Sequence, residues 1–264
     1  ARGVSMVPTA LTIAGSDPSG GAGLQADLKT FHQRNVYGMA VVTLLTVQNT
    51  RRVRSVHVLK PSLVLAQLDA VLEDIRPHAA KTGALGNAAV IRSVAKRAVK
   101  CRFPLVIDPV MVSKHGASLL ARPAVRALKE HLLPLAALIT PNIPEAELLA
   151  GMKIRDVRDM KNAAGRILAL GAKAVLVKGG HLRGRATDVF RDTVRTVLLD
   201  AERIPTRHTH GTGCTFSAAI TAELAKGRGT LAAVRIAKKF ITEAIRTAPG
   251  LGRGSGPVGH FAKI

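Results

Sequence analysis

The chain is poor in aromatic residues and cysteine. Its 264 residues include no Trp, one Tyr and two Cys, and aromatic side chains make up 3% of the total although 47% of the residues are hydrophobic. The apolar mass is therefore aliphatic, which suits buried parallel strands. Cys101 and Cys214 lie far apart in sequence, which argues against a disulfide framework and against a zinc motif. We expect one domain over residues 1–264, because a chain of this length can bury a large core.

Signals for secretion and membrane insertion are also lacking. The segment Ala1–Thr9 has no apolar block of the signal-peptide kind, and no apolar run has the length needed to span a bilayer. Together with the scarcity of cysteine, these features predict a cytoplasmic protein that has no membrane partner.

Acidic residues are too few to balance the basic ones. Lys and Arg number 39 against 17 Asp and Glu, so the formal charge is +22. Such an excess favours contact with polyanions, because phosphates attract Lys and Arg. The basic residues are scattered along predicted helices, however, without the dense block or interleaved aromatics typical of nucleic-acid binding. Nucleic-acid binding is therefore a competing interpretation, and no specific nucleic-acid partner is expected.

Short apolar runs alternate with helical periods along the chain. Strands are predicted at residues 10–14, 39–47, 79–82, 105–107, 136–139 and 174–177, and helices at 23–35, 61–75, 88–99, 123–131, 145–150 and 157–170. A hairpin at 187–199, helices at 212–225 and 230–248, and a glycine-rich loop at 249–257 follow. This alternation predicts an α/β fold of three layers, α/β/α, with a mostly parallel central sheet and ligands beyond the carboxyl ends of its strands.

The most informative motif is a glycine-containing loop that runs directly into a helix. Residues His208–Cys214 read His-Thr-His-Gly-Thr-Gly-Cys, and an apolar helical segment follows at once. Glycine lets backbone N–H groups approach a ligand, and the helix N-terminus favours an anion there. Cys214 lies in the first turn, where a thiolate is electrostatically favoured. The motif suggests phosphoryl or acyl transfer, and the alternative is a helix cap with a small buried cysteine.

A second glycine-rich segment, residues 14–27, lies between the first predicted strand and helix. Gly21–Ala26 fits the dinucleotide pattern G-x-G-x-x-A, but the acidic residue expected about twenty positions later is absent. The glycine spacing of a Walker A loop is present too, without its Lys-Ser/Thr pair. Both nucleotide motifs are therefore disfavoured. A close-approach loop carrying Asp17 and Asp27, or a plain strand-to-helix turn, remains.

Polar residues follow three of the predicted strands. Asp108 ends the strand at 105–107, and Lys178 and Gly180 follow the strand at 174–177. Asn142 and Glu145 have the spacing of a helix capping box as well as that of ligand contacts. Each could also be an ordinary turn or surface residue. As a set, they offer oxygen ligands for Mg²⁺ and a cation and amides for phosphate.

Eight short motifs, spread over nearly the whole chain, match one family. They are Leu11–Asp17, Gln25–Lys29, Gln48–Thr50, Lys81–Gly83, Asp108–Met111, Thr140–Asn142, Val177–His181 and Thr209–Cys214. With these motifs the chain resembles the hydroxymethylpyrimidine/phosphomethylpyrimidine kinases of thiamine biosynthesis, which belong to the ribokinase-like superfamily. A cysteine-containing pyridoxal kinase of the same superfamily is the alternative.

The resemblance implies a ribokinase-like fold and an ATP-dependent kinase. The acceptor would be 4-amino-5-hydroxymethyl-2-methylpyrimidine and then its monophosphate, with ATP and Mg²⁺ as cofactors, and we expect a homodimer. By the same resemblance Cys214 is the catalytic residue at the acceptor. The other implied site residues are grouped by role: phosphoryl contact by the amides of Gly211, Thr212 and Gly213; pyrimidine binding by Gly15, Asp27, Gln48, Ala84 and Val110; nucleotide binding by Asn142, Lys178 and Gly180; and Mg²⁺ at Asp108 and Glu145.

Overall fold

Nine strands in the described residues form one continuous sheet. The computed structural model describes residues 7–111, 122–180, 182 and 184–264, so His181, the last residue of one motif, lies outside it. The strands are β1 Thr9–Ser16, β2 Tyr37–Gln48, β3 Val53–Val58, β4 Ala79–Thr82, β5 Leu105–Ile107, β6 Leu138–Ile139, β7 Ala174–Val177, β8 Asp188–Asp192 and β9 Thr196–Leu199. A continuous sheet agrees with a single domain, which stays a prediction for the whole chain.

Helices cover both faces of this sheet. They are α1 Gly23–Gln33, α2 Pro61–Asp74, α3 Ala88–Ala98, α4 Arg122–Ala127, α5 Ile143–Ala150, α6 Val157–Leu168, α7 Thr212–Ala225 and α8 Thr230–Arg246. A π-helical turn, Leu128–Leu132, and a 3₁₀ turn, Leu133–Leu135, continue α4. None of the described helices is both long and apolar enough to cross a bilayer.

Side chains on the central strands alternate between two apolar cores. Along β7, Val175 and Val177 belong to the core under α2 to α6, whereas Ala174 and Leu176 belong to the core under α1, α7 and α8. Successive residues of a strand point to opposite faces of the sheet, and here both faces are buried in apolar cores. This double burial explains why the central strands are continuous aliphatic runs, and it confirms the predicted three-layer architecture.

The order of the strands places the ligand site. The sheet has the order β3-β2-β1-β4-β5-β6-β7-β8-β9. The six strands β2, β1, β4, β5, β6 and β7 are mutually parallel, and β3, β8 and β9 are antiparallel to their neighbours. The strand β2 lies on one side of β1, and β4, which comes later in the chain, lies on the other side of β1. Such a reversal opens a crevice beyond the carboxyl ends of the strands.

Most elements lie within a few residues of their predicted bounds, and β8 and β9 form the expected hairpin. The strand β3, Val53–Val58, was not predicted. Its sequence, Val-Arg-Ser-Val-His-Val, carries only small and polar residues between its valines, and none of its residues is fully buried. An edge strand of this kind gives a weak hydrophobic signal because it is stabilised by pairing with β2 rather than by burial.

Candidate active site

One cavity of about 790 Å³ lies beyond the carboxyl ends of the parallel strands. Every residue that the sequence assigned to a site lines it. These residues are Gly15, Asp27, Gln48, Ala84, Asp108, Val110, Asn142, Glu145, Lys178, Gly180, Gly211, Thr212, Gly213 and Cys214. The structure thus brings the predicted set together, while the role of each residue stays a proposal.

The two glycine loops touch each other through their backbones. Gly211 is the N-cap of α7 and has a φ of +77°, a left-handed conformation that favours glycine. A Cβ atom on Gly211 would lie 1.8 Å from the carbonyl oxygen of Gly21. No other residue type fits there without displacing one of the loops. This contact sets the α7 N-terminus against the loop between β1 and α1.

A buried hydrogen bond between two side chains fixes the same contact. The Nε2 atom of His210 lies 2.8 Å from Oδ2 of Asp17, and both side chains are almost fully buried. The other carboxylate oxygen of Asp17 accepts hydrogen bonds from the backbone and hydroxyl of Ser19. Burial raises the pKa of Asp17, but the bonds from His210 and Ser19 outweigh it and hold the pKa below its ordinary value. Asp17 is therefore an anion that anchors the loop before Cys214.

Burial favours the neutral thiol of Cys214. Burial raises the pKa of its thiol to about 12, against the lowering effect of the Lys81 ammonium and of a hydrogen bond from the Gly23 backbone. Burial thus opposes the thiolate that the sequence led us to expect, because loss of hydration outweighs the position in the first turn of α7.

Asp27 is held from two sides at the wall of the cavity. Its Oδ2 accepts a hydrogen bond from the Thr12 hydroxyl at 2.6 Å, and its Oδ1 lies 2.6 Å from Lys81 Nζ. All three residues are fully buried. Burial opposes the charge on Lys81, but the attraction of Asp27 prevails and raises the pKa of the lysine above its ordinary value. Burial also raises the pKa of Asp27, against the lowering effects of Lys81 and of the Thr12 hydrogen bond.

Gln48 ends β2 at the opening of the same cavity and is half-buried. Within the part of the chain that the structure describes, its side-chain amide makes no hydrogen bond of its own. One donor group and one acceptor are therefore available to a ligand.

Two carboxylates and one ammonium group form the floor of the cavity. Lys178 Nζ lies 3.1 Å from Oδ1 of Asp108, and the Ser217 hydroxyl donates to the other oxygen of Asp108 at 3.2 Å. Burial raises the pKa of Glu145 to about 7; Lys178 lowers it and the Asp108 charge raises it again. The two acids are thus close enough to repel each other across a shared cation.

Asn142 caps α5. Its Oδ1 accepts a hydrogen bond from the Glu145 backbone at 3.0 Å, and Glu145 Oε2 accepts one from the Asn142 backbone at 2.9 Å. This is the complete capping box that the sequence offered as one of two interpretations. Capping and cavity lining are compatible, because the helix N-terminus itself faces the cavity.

Sequence reasoning missed one wall of the cavity, which is formed by α8 and the residues around β8. Lys238 Nζ lies 2.7 Å from Oδ2 of Asp188, and Asp188 Oδ1 accepts a hydrogen bond from the Gly179 backbone at 2.9 Å. This pair therefore positions the turn that carries Lys178. Apolar and polar side chains of the same helix face complete the wall: Ile241, Thr242 and Ile245. These three residues follow Lys238 at positions i+3, i+4 and i+7, so the sequence could have indicated that they share one face of α8.

Comparison with known proteins agrees with this geometry. A model of the phosphomethylpyrimidine kinase family matches residues 17–259. The chain belongs to the phosphomethylpyrimidine kinase family. A curated hydroxymethylpyrimidine/phosphomethylpyrimidine kinase of Synechococcus elongatus is 49% identical over 257 residues, which cover 97% of this chain and 98% of the relative.

Two solved structures share the fold of this family member. The phosphomethylpyrimidine kinase of Clostridium difficile 630 has a TM-score of 0.80 and 46% identity, and the match covers 90% of this chain and 99% of that one. The ADP complex of Bacillus subtilis pyridoxal kinase has a TM-score of 0.90 and 43% identity, with 97% and 98% covered. The predicted family and the ribokinase-like fold are confirmed.

Substitution of Cys214 separates chemistry from packing. If the sulfur accepts the substrate proton, Cys214→Ala should lower kcat by roughly 10²–10⁴ while the thermal midpoint changes little. Cys214→Asp should recover part of the rate because it restores a base, whereas Cys214→Ser should not. Steady-state kinetics and thermal unfolding of the three variants provide the measurement.

A purely packing role for Cys214 gives the reverse order. Ala and Ser would then be nearly harmless, and Asp would be the most damaging because a buried carboxylate needs partners. Near-wild-type turnover of the alanine variant would end the assignment of Cys214 as the base.

Proposed function

We propose that the protein transfers the γ-phosphoryl group of ATP to 4-amino-5-hydroxymethyl-2-methylpyrimidine and then to its monophosphate. The observation that carries this proposal is that one cavity is lined by three groups of residues. These are the glycine loop before α7, the carboxylates Asp108 and Glu145, and the residues assigned to pyrimidine binding, such as Gln48. The names of the family and of the Synechococcus relative support the acceptor. Positioning and charge neutralisation supply most of the acceleration in such reactions.

The nucleotide lies along the wall made by the Lys178 turn and α8. The ADP complex of the similar Bacillus pyridoxal kinase supports ATP as the donor. Lys178 provides a cation for the phosphates, and the backbone around Gly180 provides amide contacts. The N–H groups of Gly211 to Cys214 lie at the start of α7, beside this lysine, since a Cβ on Gly213 would lie 3.2 Å from Lys178 Nζ. The Thr212 N–H donates to the Thr209 carbonyl oxygen at 3.3 Å, and the other amides of this turn serve as donors to the phosphoryl group in transfer.

Mg²⁺ fits the carboxylate pair as a companion of ATP. The described residues contain no cluster of three or more His, Cys, Asp or Glu that could enclose a metal ion. Asp108 and Glu145 nevertheless line the cavity together, and Mg²⁺ is commonly held by one or two carboxylates plus substrate phosphates. When bound, Mg²⁺ would neutralise phosphate charge, and Asp108 and Glu145 would hold it and its waters.

Cys214 accepts the proton of the acceptor hydroxyl in this proposal. Its thiol must first release its own proton to solvent, which burial opposes, while the ammonium group of Lys81 favours the thiolate. The charges of Asp27 and Asp108 disfavour the thiolate.

Product analysis tests the proposed reaction. Incubation with ATP, Mg²⁺ and the pyrimidine alcohol should give the monophosphate and then the diphosphate, which phosphorus NMR resolves. Pyridoxal is the necessary competitor, because the pyridoxal kinase structure gives the higher TM-score of the two neighbours. Faster phosphorylation of pyridoxal than of the pyrimidine would replace the proposed acceptor, and no dependence of ATP turnover on either alcohol would reject the kinase.

Substitution of Gln48 should weaken binding of the acceptor and leave binding of ATP unchanged. Its amide can match the ring nitrogen and exocyclic amine of an aminopyrimidine, and unpaired groups in a binding pocket are costly. Gln48→Ala should raise the KM for the pyrimidine about tenfold or more and leave the KM for ATP nearly unchanged. An equal rise in both KM values would place Gln48 outside the acceptor pocket.

We also propose a homodimer formed through the outer face of β2. Thr46 and Gln48 line the cavity, whereas Leu45 and Val47 lie on the opposite face and are 47% and 48% exposed. A second copy would remove these aliphatic side chains from water. Leu45→Lys/Val47→Lys should sediment as a monomer in analytical ultracentrifugation, whereas Val194→Lys, which alters a valine 83% exposed elsewhere, should remain dimeric. A monomeric wild-type protein would contradict the proposal.

A cytoplasmic location completes the proposal. Cys101 and Cys214 are free thiols, in keeping with a reducing compartment. Cell fractionation checks this location, and recovery of the protein outside the cytoplasm would contradict it.

A further inference from the structure

Unpaired arginines surround the acceptor side of the cavity mouth. Arg51 and Arg52 occupy the turn between β2 and β3, which joins the cavity-lining residues Gln48 and Val53. Both arginines are exposed. A basic turn therefore lies at the edge of the acceptor pocket.

The glycine-rich segment near the C-terminus adds a third arginine to this turn. The Gly254 backbone N–H donates to Thr50 Oγ1 at 3.3 Å, and a Cβ on Gly254 would lie 2.0 Å from the Thr50 carbonyl oxygen. The backbones are thus in direct contact. Arg253, which is exposed and adjacent to Gly254, is held beside Arg51 and Arg52 by this contact.

The same segment reaches the loop before α7. Ser255 Oγ donates to the Arg207 carbonyl oxygen at 2.9 Å, and the His210 backbone N–H donates to the Gly256 carbonyl oxygen at 3.0 Å. Arg207 is exposed, and Thr209 and His210 beyond it line the cavity. Three distant parts of the chain therefore place basic residues around one opening.

Glu202 is exposed and lines the same cavity, but the segments that carry the four arginines contain no acidic residue. The sequence has no Asp or Glu in residues 41–68, 203–213 or 244–264. Within the described part of the chain, none of the four arginines Arg51, Arg52, Arg207 and Arg253 belongs to an ion pair. Asp17 lies nearby, but it is buried and paired with His210. The rim is therefore a concentrated part of the +22 charge and not an average sample of it.

We propose that this arginine rim, Arg51, Arg52, Arg207 and Arg253, makes the enzyme selective for a phosphorylated acceptor over the neutral alcohol. A phosphate monoester carries close to two negative charges at pH 7. A cleft lined by one sign of charge raises the local concentration of an oppositely charged ligand, and the effect falls with ionic strength. The rim acts through this field on the second phosphorylation, whereas the neutral alcohol of the first step does not feel it.

This inference rests on the proposed function. It is tested by comparing two acceptors, the pyrimidine alcohol and its monophosphate. The rim variant is Arg51→Gln/Arg52→Gln/Arg253→Gln, which removes three charges from exposed positions. The matched control is Lys100→Gln/Arg102→Gln/Lys173→Gln, which removes three exposed charges at the amino ends of β5 and β7, on the opposite edge of the sheet. Both variants have the same net charge.

At saturating ATP and low ionic strength, about 20 mM, the rim variant should raise the KM for the pyrimidine monophosphate roughly five- to tenfold. Its KM for the alcohol should change less than twofold, about the level of the control. The difference should largely vanish at about 0.5 M salt because the field is screened. Equal changes for both acceptors, or equal changes in the rim and control variants, would overturn the rim as a determinant of selectivity.

Binding without turnover separates this inference from the proposed reaction. Calorimetry measures the affinity of the wild type and both variants for the monophosphate in the absence of ATP. Weaker binding by the rim variant alone supports the rim even if no product forms, in which case the proposed function fails and the rim stands. Unchanged binding by the rim variant rejects the rim, whatever products are found.

Discussion

The contact between the two glycine loops is the constraint on which the site depends. The loop after β1 and the loop before α7 come from opposite ends of the chain, yet Gly21 and Gly211 meet through bare backbone. The buried side chains of Asp17 and His210, whose Oδ2 and Nε2 atoms lie 2.8 Å apart, hold the two loops in this contact. The α7 N-terminus, and with it Cys214, is thereby held against the loop after β1. A side chain at either glycine would push the two loops apart.

Charge pairing is the second organising feature of the cavity. Lys81 with Asp27, and Lys178 with Asp108, place two pairs of opposite charge around Cys214. Buried charges are tolerated only where they are paired and hydrogen-bonded. The same pairs control Cys214, since its ionisation balances the Lys81 charge against the nearby acids. The side chains that pair inside the cavity are therefore also those with proposed roles in catalysis.

The sequence was sufficient for the architecture wherever burial dictated the pattern. The aliphatic strands β1, β4, β5 and β7 and the amphipathic helices are confirmed near their predicted bounds, because two-sided burial leaves a strong signal. The edge strand β3 was missed, since pairing with β2 and not burial maintains it. The α8 wall of the cavity was missed as well, because the role of Lys238 depends on its salt bridge with Asp188, a residue fifty positions away in the sequence.

The sequence by itself determined the family, the three-layer fold and which residues line the cavity. It could do so because glycine loops and polar residues at strand ends are local features of the chain. Only the tertiary structure decided the electrostatics. It showed that Asn142 completes a capping box, that Asp27 is held by Lys81 and Thr12, and that burial raises the pKa of Cys214 despite its place in a helix turn. The physical reason is that a pKa depends on burial and on the distance to other charges, and both are fixed only when distant segments pack together.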